Sequence, residues 1–165
     1  ARFVQMASDV GYAEGTLHLD RPGKLRIDYD PPMPVQIIAR RGTLIYFDTE
    51  LKQVSYVSTD ATPAGLLLDK NVSLQKNAVV TAFERGAGTL RVSVVRRDEP
   101  NAGTLTLVFS DKPLTLRKWI VDDAQGIQTG VTLVDTRFGV AQKPELFEFR
   151  DPNFFKDNLG VGKGG

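Results

Sequence analysis

The sequence predicts a mainly β protein: a strongly curved antiparallel sheet or barrel with one short helix closing a face. Three observations carry this. Apolar residues recur at every second position through most of the chain, which is the period of a half-buried strand. The alternating runs are short and separated by clusters of Gly, Pro, Asn and Asp that suit hairpin turns. The period changes once, at Thr62-Pro63-Ala64-Gly65-Leu66-Leu67-Leu68-Asp69-Lys70, where a helical pattern interrupts the strands.

Composition agrees with a soluble globular fold. With 165 residues, 41% hydrophobic and 25% charged, the chain suits one domain, expected over residues 1–150 and followed by an irregular tail at 151–165. The longest apolar runs, 44–47 and 66–68, are far short of a bilayer span. A net charge of +1 excludes a polyanion binder, and nucleic acid with it. The basic pairs Arg40-Arg41 and Arg96-Arg97 abut turn-like sequence and read as solvated strand ends. The chain has no cysteine, which removes disulfides, thiolate metal sites and a cysteine nucleophile together. It opens on ARFVQM, already a strand, as expected of a mature or trimmed form.

Residues 3–6 form a first strand and lead through Ser8 and Asp9 into a hairpin over 15–29. In that hairpin Leu17 and Leu19 precede the turn, and Leu25, Ile27 and Tyr29 follow it on alternate positions. Arg21-Pro22-Gly23 makes the turn: proline fixes φ at the first corner and glycine takes the second at positive φ. Arg21 shares the parity of Leu17 and Leu19, whereas Thr16, His18 and Asp20 face the other way. A guanidinium at the rim of an apolar face must meet acceptors or water, so Arg21 is either a snorkelling edge residue or a latch.

The hairpin's second strand stops at Asp30-Pro31-Pro32-Met33-Pro34, since proline cannot donate to a ladder. Strands resume at 35–39, at 43–47 after Arg41-Gly42, and at 54–57 after a turn at 48–50. Leu44 and Tyr46 point one way and Ile45 and Phe47 the other, so this strand is expected to be covered on both faces. In the helical stretch Thr62 is the N-cap, Pro63 fits the first helical position and Lys70-Asn71 suits the C-terminal end. Two turns are marginal in water, and Gly65 weakens them further. Leu66, Leu67 and Leu68 must therefore dock on other surface, as in a small helix plugging a sheet.

Strand spacing returns at 79–83, at Leu90/Val92/Val94, at Leu105/Leu107/Phe109, at Leu114/Leu116 with Trp119 and Val121, and at 127–134. Several long antiparallel strands joined by hairpin turns roll up rather than stay flat. After Phe147-Glu148-Phe149 the period is lost, and fraying is expected beyond Phe155.

A search for chemistry returns little. The one histidine, His18, lies on the polar side of its strand and reads as a surface residue, and no serine sits in a nucleophile elbow. Asp122-Asp123 reads as a turn, and Gly86-x-Gly88 precedes a strand rather than a phosphate-binding helix. No catalytic residue, metal site or cofactor is expected. The sequence argues for binding, and apolar surface is what it offers to bind with.

Leu17-x-Leu19-x-Arg21-Pro22-x-x-Leu25-Arg26-x-x-Tyr29, then Arg41-Gly42-Thr43-Leu44-x-Tyr46-Phe47-Asp48 through Leu51-x-Gln53-Val54, then Thr62-Pro63-x-x-Leu66-Leu67, resembles the outer-membrane lipoprotein carrier (LolA) family. The resemblance runs in register from Phe3 to about Phe149. It implies a periplasmic carrier built as an incompletely closed antiparallel β-barrel whose concave apolar face lies under a helical lid. Such a carrier takes the acyl chains of bacterial lipoproteins from an inner-membrane lipoprotein-releasing ABC transporter and delivers them to the outer membrane, where a receptor can accept them. It also implies a monomer, a lid-latching Arg21, and a lipid cavity and lid formed by Leu17, Leu19, Leu25, Ile27, Tyr29, Tyr46, Leu66 and Leu67. The family pattern has an amphipathic helix ahead of the first strand. Here the chain opens at the strand, so that part of the lid is expected to be missing or trimmed. The alternatives are a lipid- or lipoprotein-binding receptor or an envelope stress sensor of the same fold, which would bind similar cargo without shuttling it.

Overall fold

Among the described residues, alternation and turn chemistry between them produce eleven strands in one antiparallel sheet. They are β1 (Arg2–Ala7), β2 (Gly11–Asp20), β3 (Lys24–Tyr29), β4 (Val35–Arg40), β5 (Thr43–Asp48), β6 (Val54–Ser58), β7 (Ala78–Gly86), β8 (Thr89–Arg96), β9 (Gly103–Ser110), β10 (Thr115–Asp123) and β11 (Gln128–Val134). The structure is a computed structural model, and it describes residues 1–70 and 76–154. Strand order is β6-β5-β4-β3-β2-β1-β11-β10-β9-β8-β7. Two meanders are thus joined along one seam, where β1 pairs with β11 from Arg2 opposite Val134 to Ala7 opposite Thr129. The sheet is not closed: β6 and β7 are its two outer strands.

Curvature follows from which residues share a core. Ile27 on β3 and Val94 on β8 are six strands apart, roughly 29 Å in a flat sheet at about 4.8 Å per strand. Yet both belong to one buried cluster with Phe3, Leu17, Leu66, Leu105, Trp119 and Val131. The sheet must fold round so that its inner faces meet. Register shifts in β7 between Val80 and Ala82 and in β10 between Leu116 and Lys118 add local twist of the kind that bends a strand.

After β6 the chain over residues 59–69 crosses the concave side. It holds a 3-10 turn at Thr59–Ala61 and a 3-10 helix at Pro63–Leu68, capped by the Thr62 hydroxyl accepting from the Ala64 N–H. The expected cap and first residue are in place, but the helix is 3-10 and ends at Asp69 rather than Lys70-Asn71. Asn71 and the tail beyond Phe154 lie outside the described residues. Gly65 lets this segment lie directly against the turn before it. A Cβ there would stand 2.1 Å from the Thr59 carbonyl oxygen, so the two short turns stack backbone on backbone. Three residues per turn also send three successive leucines in three directions.

β5 is covered on both faces at Leu44 and Ile45, while Tyr46 stays 40% exposed. Leu44 joins a small inner cluster with Ala39 and Leu68. On the outer side Ile38 and Ile45 are buried, and Phe149 meets Phe47 edge-on at 5.4 Å. The outer cover is the chain after β11. Its 3-10 turn Pro144–Phe147 packs on β3 and β4, and Asp151 accepts from the Tyr56 hydroxyl at 2.6 Å. This strap also takes His18 off the surface: its Nδ1 lies 3.1 Å from Gln142 Oε1, and the ring is half-buried.

Candidate functional site

Inward parity on both meanders leaves a cavity of about 500 Å³ between the sheet and the crossing segment. From the first meander it is lined by Leu17, Leu19, Leu25, Ile27, Tyr29, Ile37, Leu44 and Tyr46. Leu116, Trp119, Val121, Val131 and Leu133 line the opposite wall. Leu67 and Leu68 come down from the 3-10 helix. Of the residues expected to form a cavity and lid, Leu17, Leu19, Leu25, Ile27, Tyr29, Tyr46 and Leu67 line this space, while Ile37 and Leu44 are not among those expected. Sequence reasoning missed the second wall, although Trp119/Val121 and Val131/Leu133 carried the same period-two signal. Leu66 is placed differently from its neighbour: it does not line the cavity but is fully buried in the main cluster.

The cover is tied at both ends. At its C-terminal end the Gly23 N–H donates to the Leu68 carbonyl at 2.8 Å, and Arg21 Nε and Nη2 both donate to the Asp69 carbonyl, the former at 3.1 Å. Gly23 has φ +75°, as the turn demanded, and this presents its N–H to the cover. At the N-terminal end the Thr59 N–H donates to the Gly42 carbonyl at 2.9 Å, and Arg96 Nη2 donates to Asp60 at 3.1 Å. Arg96 corrects the sequence reading. It is not a solvated strand end but is buried at 5% exposure, with Nε 3.4 Å from Asp98 and with Nε and Nη1 lacking hydrogen-bond partners among the described residues. The inward parity it shares with Val94 places it under the cover, where two acidic side chains offset its charge.

Polar residues also line the cavity, among them Gln5, Asp9, Asp123, Thr129 and Arg137. Tyr29 donates its hydroxyl to Gln5 Oε1 at 2.7 Å, and its ring meets Phe3 edge-on at 5.4 Å. Burial pushes the Tyr29 phenol up to about 12, and burial also raises that of Tyr46. Both stay neutral donors at physiological pH. On the outer face, burial would raise the Asp28 carboxyl, but bonds from Arg26 at 2.7 Å and Gln36 at 2.6 Å hold it below its ordinary value. Asp122 and Asp123 end β10 rather than forming a turn, and Asp123 caps the turn that follows: its Oδ1 accepts from the Gln125 and Ile127 N–H groups, each at 2.9 Å. Among the described residues no group of three His, Cys, Asp or Glu is placed to hold a metal ion, and no helix is long and apolar enough to cross a membrane.

Comparison with known proteins adds to this geometry. The family model described as outer membrane lipoprotein carrier protein LolA matches residues 1–150. The outer-membrane lipoprotein carrier protein of Methylococcus capsulatus is 29% identical over 144 residues, covering 84% of this chain and 67% of that protein. That of Nitrosomonas europaea is 24% identical over 161 residues, covering 92% and 78%. A LolA superfamily protein of known structure from Nitrosomonas europaea superposes with a TM-score of 0.49 at 10% identity, covering 90% of this chain and 87% of the other.

Proposed function

Since this chain belongs to the outer-membrane lipoprotein carrier family (LolA), we propose that it is a periplasmic shuttle: it binds lipoprotein acyl chains in the covered cavity and carries them from the inner to the outer membrane. Its partners on this reading are an inner-membrane ABC transporter that loads it and an outer-membrane acceptor that unloads it. The observation that supports the reading is an apolar cavity of about 500 Å³ under a segment too short to be a stable helix by itself.

The energetics of a shuttle favour such a cover. Burying a methylene is worth about 0.8 kcal/mol, so full burial of a chain of some fifteen would contribute roughly 12 kcal/mol, a nanomolar grip that no carrier could release on demand. Displacing the cover exposes Leu67 and Leu68 and strips the Asp69 carbonyl of the Arg21 donors. Each of those changes offsets part of the acyl gain. Arg21 acts as the latch in this scheme: it stabilises the closed, empty form and so favours unloading.

The test is a two-stage assay. A dye that fluoresces in apolar surroundings should bind saturably and be displaced by acylated peptide. The loaded protein should then deliver a labelled lipoprotein to outer-membrane vesicles. A protein that binds the dye but delivers nothing would be a receptor or sensor, and one that shows no saturable binding would refute the carrier altogether.

A further inference from the structure

Of the three buried polar residues among those described, Gln5, Arg96 and Thr106, only Gln5 lines the cavity. Arg96 is met by Asp60, and the Thr106 hydroxyl lies 2.8 Å from that of Ser93. Gln5 is 7% exposed and is met on one side only, by the Tyr29 hydroxyl at its Oε1. Its Nε2 is not sealed among the buried polar atoms that lack partners, so the amide N–H groups open onto the cavity, where a ligand can meet them. Reversing the amide does not remove the feature, because Tyr29 would then accept from Gln5 and its own O–H would be left over. In either orientation the pair presents a donor to the cavity.

The position of Gln5 within the cavity says what that donor meets. Gln5 pairs with Ala13 on β2 and Val131 on β11. Six residues along β2, roughly 20 Å at about 3.3 Å each, lead from Ala13 to Leu19 beneath the cover. That stretch is lined by Leu17, Leu19, Leu25 and Leu67, whereas Ala7, Asp9, Asp123 and Thr129 line the other end. Gln5 therefore stands near the border between a hydrocarbon section and a mixed mouth, where Asp9, Asp123 and Thr129 stand among Ala7 and Val10.

We propose that Gln5, positioned by Tyr29, is the carbonyl-binding point of the cavity: it donates to an ester carbonyl of an acylglycerol group, with the hydrocarbon running toward the cover and the polar head leaving past Asp9 and Asp123. This rests on the acyl-binding reading above. It adds an orientation and a selectivity that apolar burial alone does not supply, since hydrocarbon has no direction of its own. Tyr29 is a positioning residue, fixing the amide so that its free side faces inward.

The probes are dioctanoylglycerol and its dialkyl ether analogue, which has the same chains but no carbonyl. Each is titrated against the bound dye in wild type, Gln5→Leu and Tyr29→Phe. Wild type should bind the ester about three- to tenfold more tightly than the ether, the range one net hydrogen bond allows. Gln5→Leu should bring the ester to the ether's affinity, and Tyr29→Phe should reduce the preference without abolishing it. Infrared spectra of carbonyl-labelled diacylglycerol supply a second readout: the ester band should move to lower frequency on wild type and not on Gln5→Leu. Should Gln5→Leu fail to fold, the wild-type band and the Tyr29→Phe titration still decide. Equal affinities for ester and ether in wild type, or an unshifted band, would overturn the carbonyl site while leaving the acyl cavity standing. No saturable binding of either probe would instead overturn the reading on which it rests.

Discussion

Replacing Leu66 by alanine is expected to lower stability sharply, while the same change at Leu67 should mainly weaken binding. Leu66 is 0% exposed and packs in a cluster drawn from both meanders, so its truncation leaves an enclosed void. Buried Leu→Ala changes cost about 2–5 kcal/mol, the upper part of that range where surroundings cannot collapse. At roughly 2–4 °C per kcal/mol for a chain of this size, a loss of about 3 kcal/mol lowers Tm by about 6–12 °C. Leu67 is half-buried and faces space that is already open, so only a transfer term is lost, about 1 kcal/mol. Its absence removes apolar contact from whatever occupies the cavity. Thermal melts followed by circular dichroism, with dye titration on the same samples, separate the two effects. Equal Tm losses, or a Leu66→Ala protein as stable as wild type, would refute the division into a core leucine and a cavity leucine.

Arg21→Leu should loosen the cover without unfolding the sheet. Its two donors converge on one carbonyl and the side chain is exposed, so about 1 kcal/mol is at stake, roughly a fivefold rise in exchange of the Gly23 amide while the β1–β11 amides keep their protection. Gly65→Ala should destabilise by about 1–3 kcal/mol, because its Cβ would meet the Thr59 carbonyl at 2.1 Å; a neutral melt would mean the two turns can separate freely. Absorbance titration of the phenols should show the Tyr29 phenol ionising near 12 in the folded protein and near 10 in denaturant. With the folded value raised, the unfolded chain ionises first, so stability is full below about 10 and falls as pH rises toward 12; a flat melting profile across that window would contradict the burial of Tyr29.

The strands and the inner wall of the first meander were legible because parity and turn chemistry act locally. Leu17, Leu19, Leu25 and Ile27 needed only a period of two and a turn at Arg21-Pro22-Gly23 to be placed together. What the sequence hid is whatever depends on distant chain meeting. Thr62 and Pro63 announced a helix start, but its leucines dock on separate clusters drawn from distant strands, and the segment is 3-10. The burial of Arg96 depends on Asp60, 36 residues earlier, and the strap over His18 comes from 124 residues away. Gln5 looked like an ordinary polar residue in a short strand, because nothing nearby in the chain shows that Tyr29 and a cavity will face it.

The seam between β1 and β11 has a consequence for how the molecule forms. Every other ladder in the sheet joins strands that follow one another directly in the chain, and such contacts can form early and independently. The seam alone brings together positions 132 residues apart, Arg2 and Val134, and its closure carries most of the loop entropy. Folding should therefore be limited by the docking of two preformed meanders. Until they dock, the inner strands β1 and β11 are bare edges capable of pairing with another chain, and a mutation that slows closure would raise aggregation before it changed equilibrium stability.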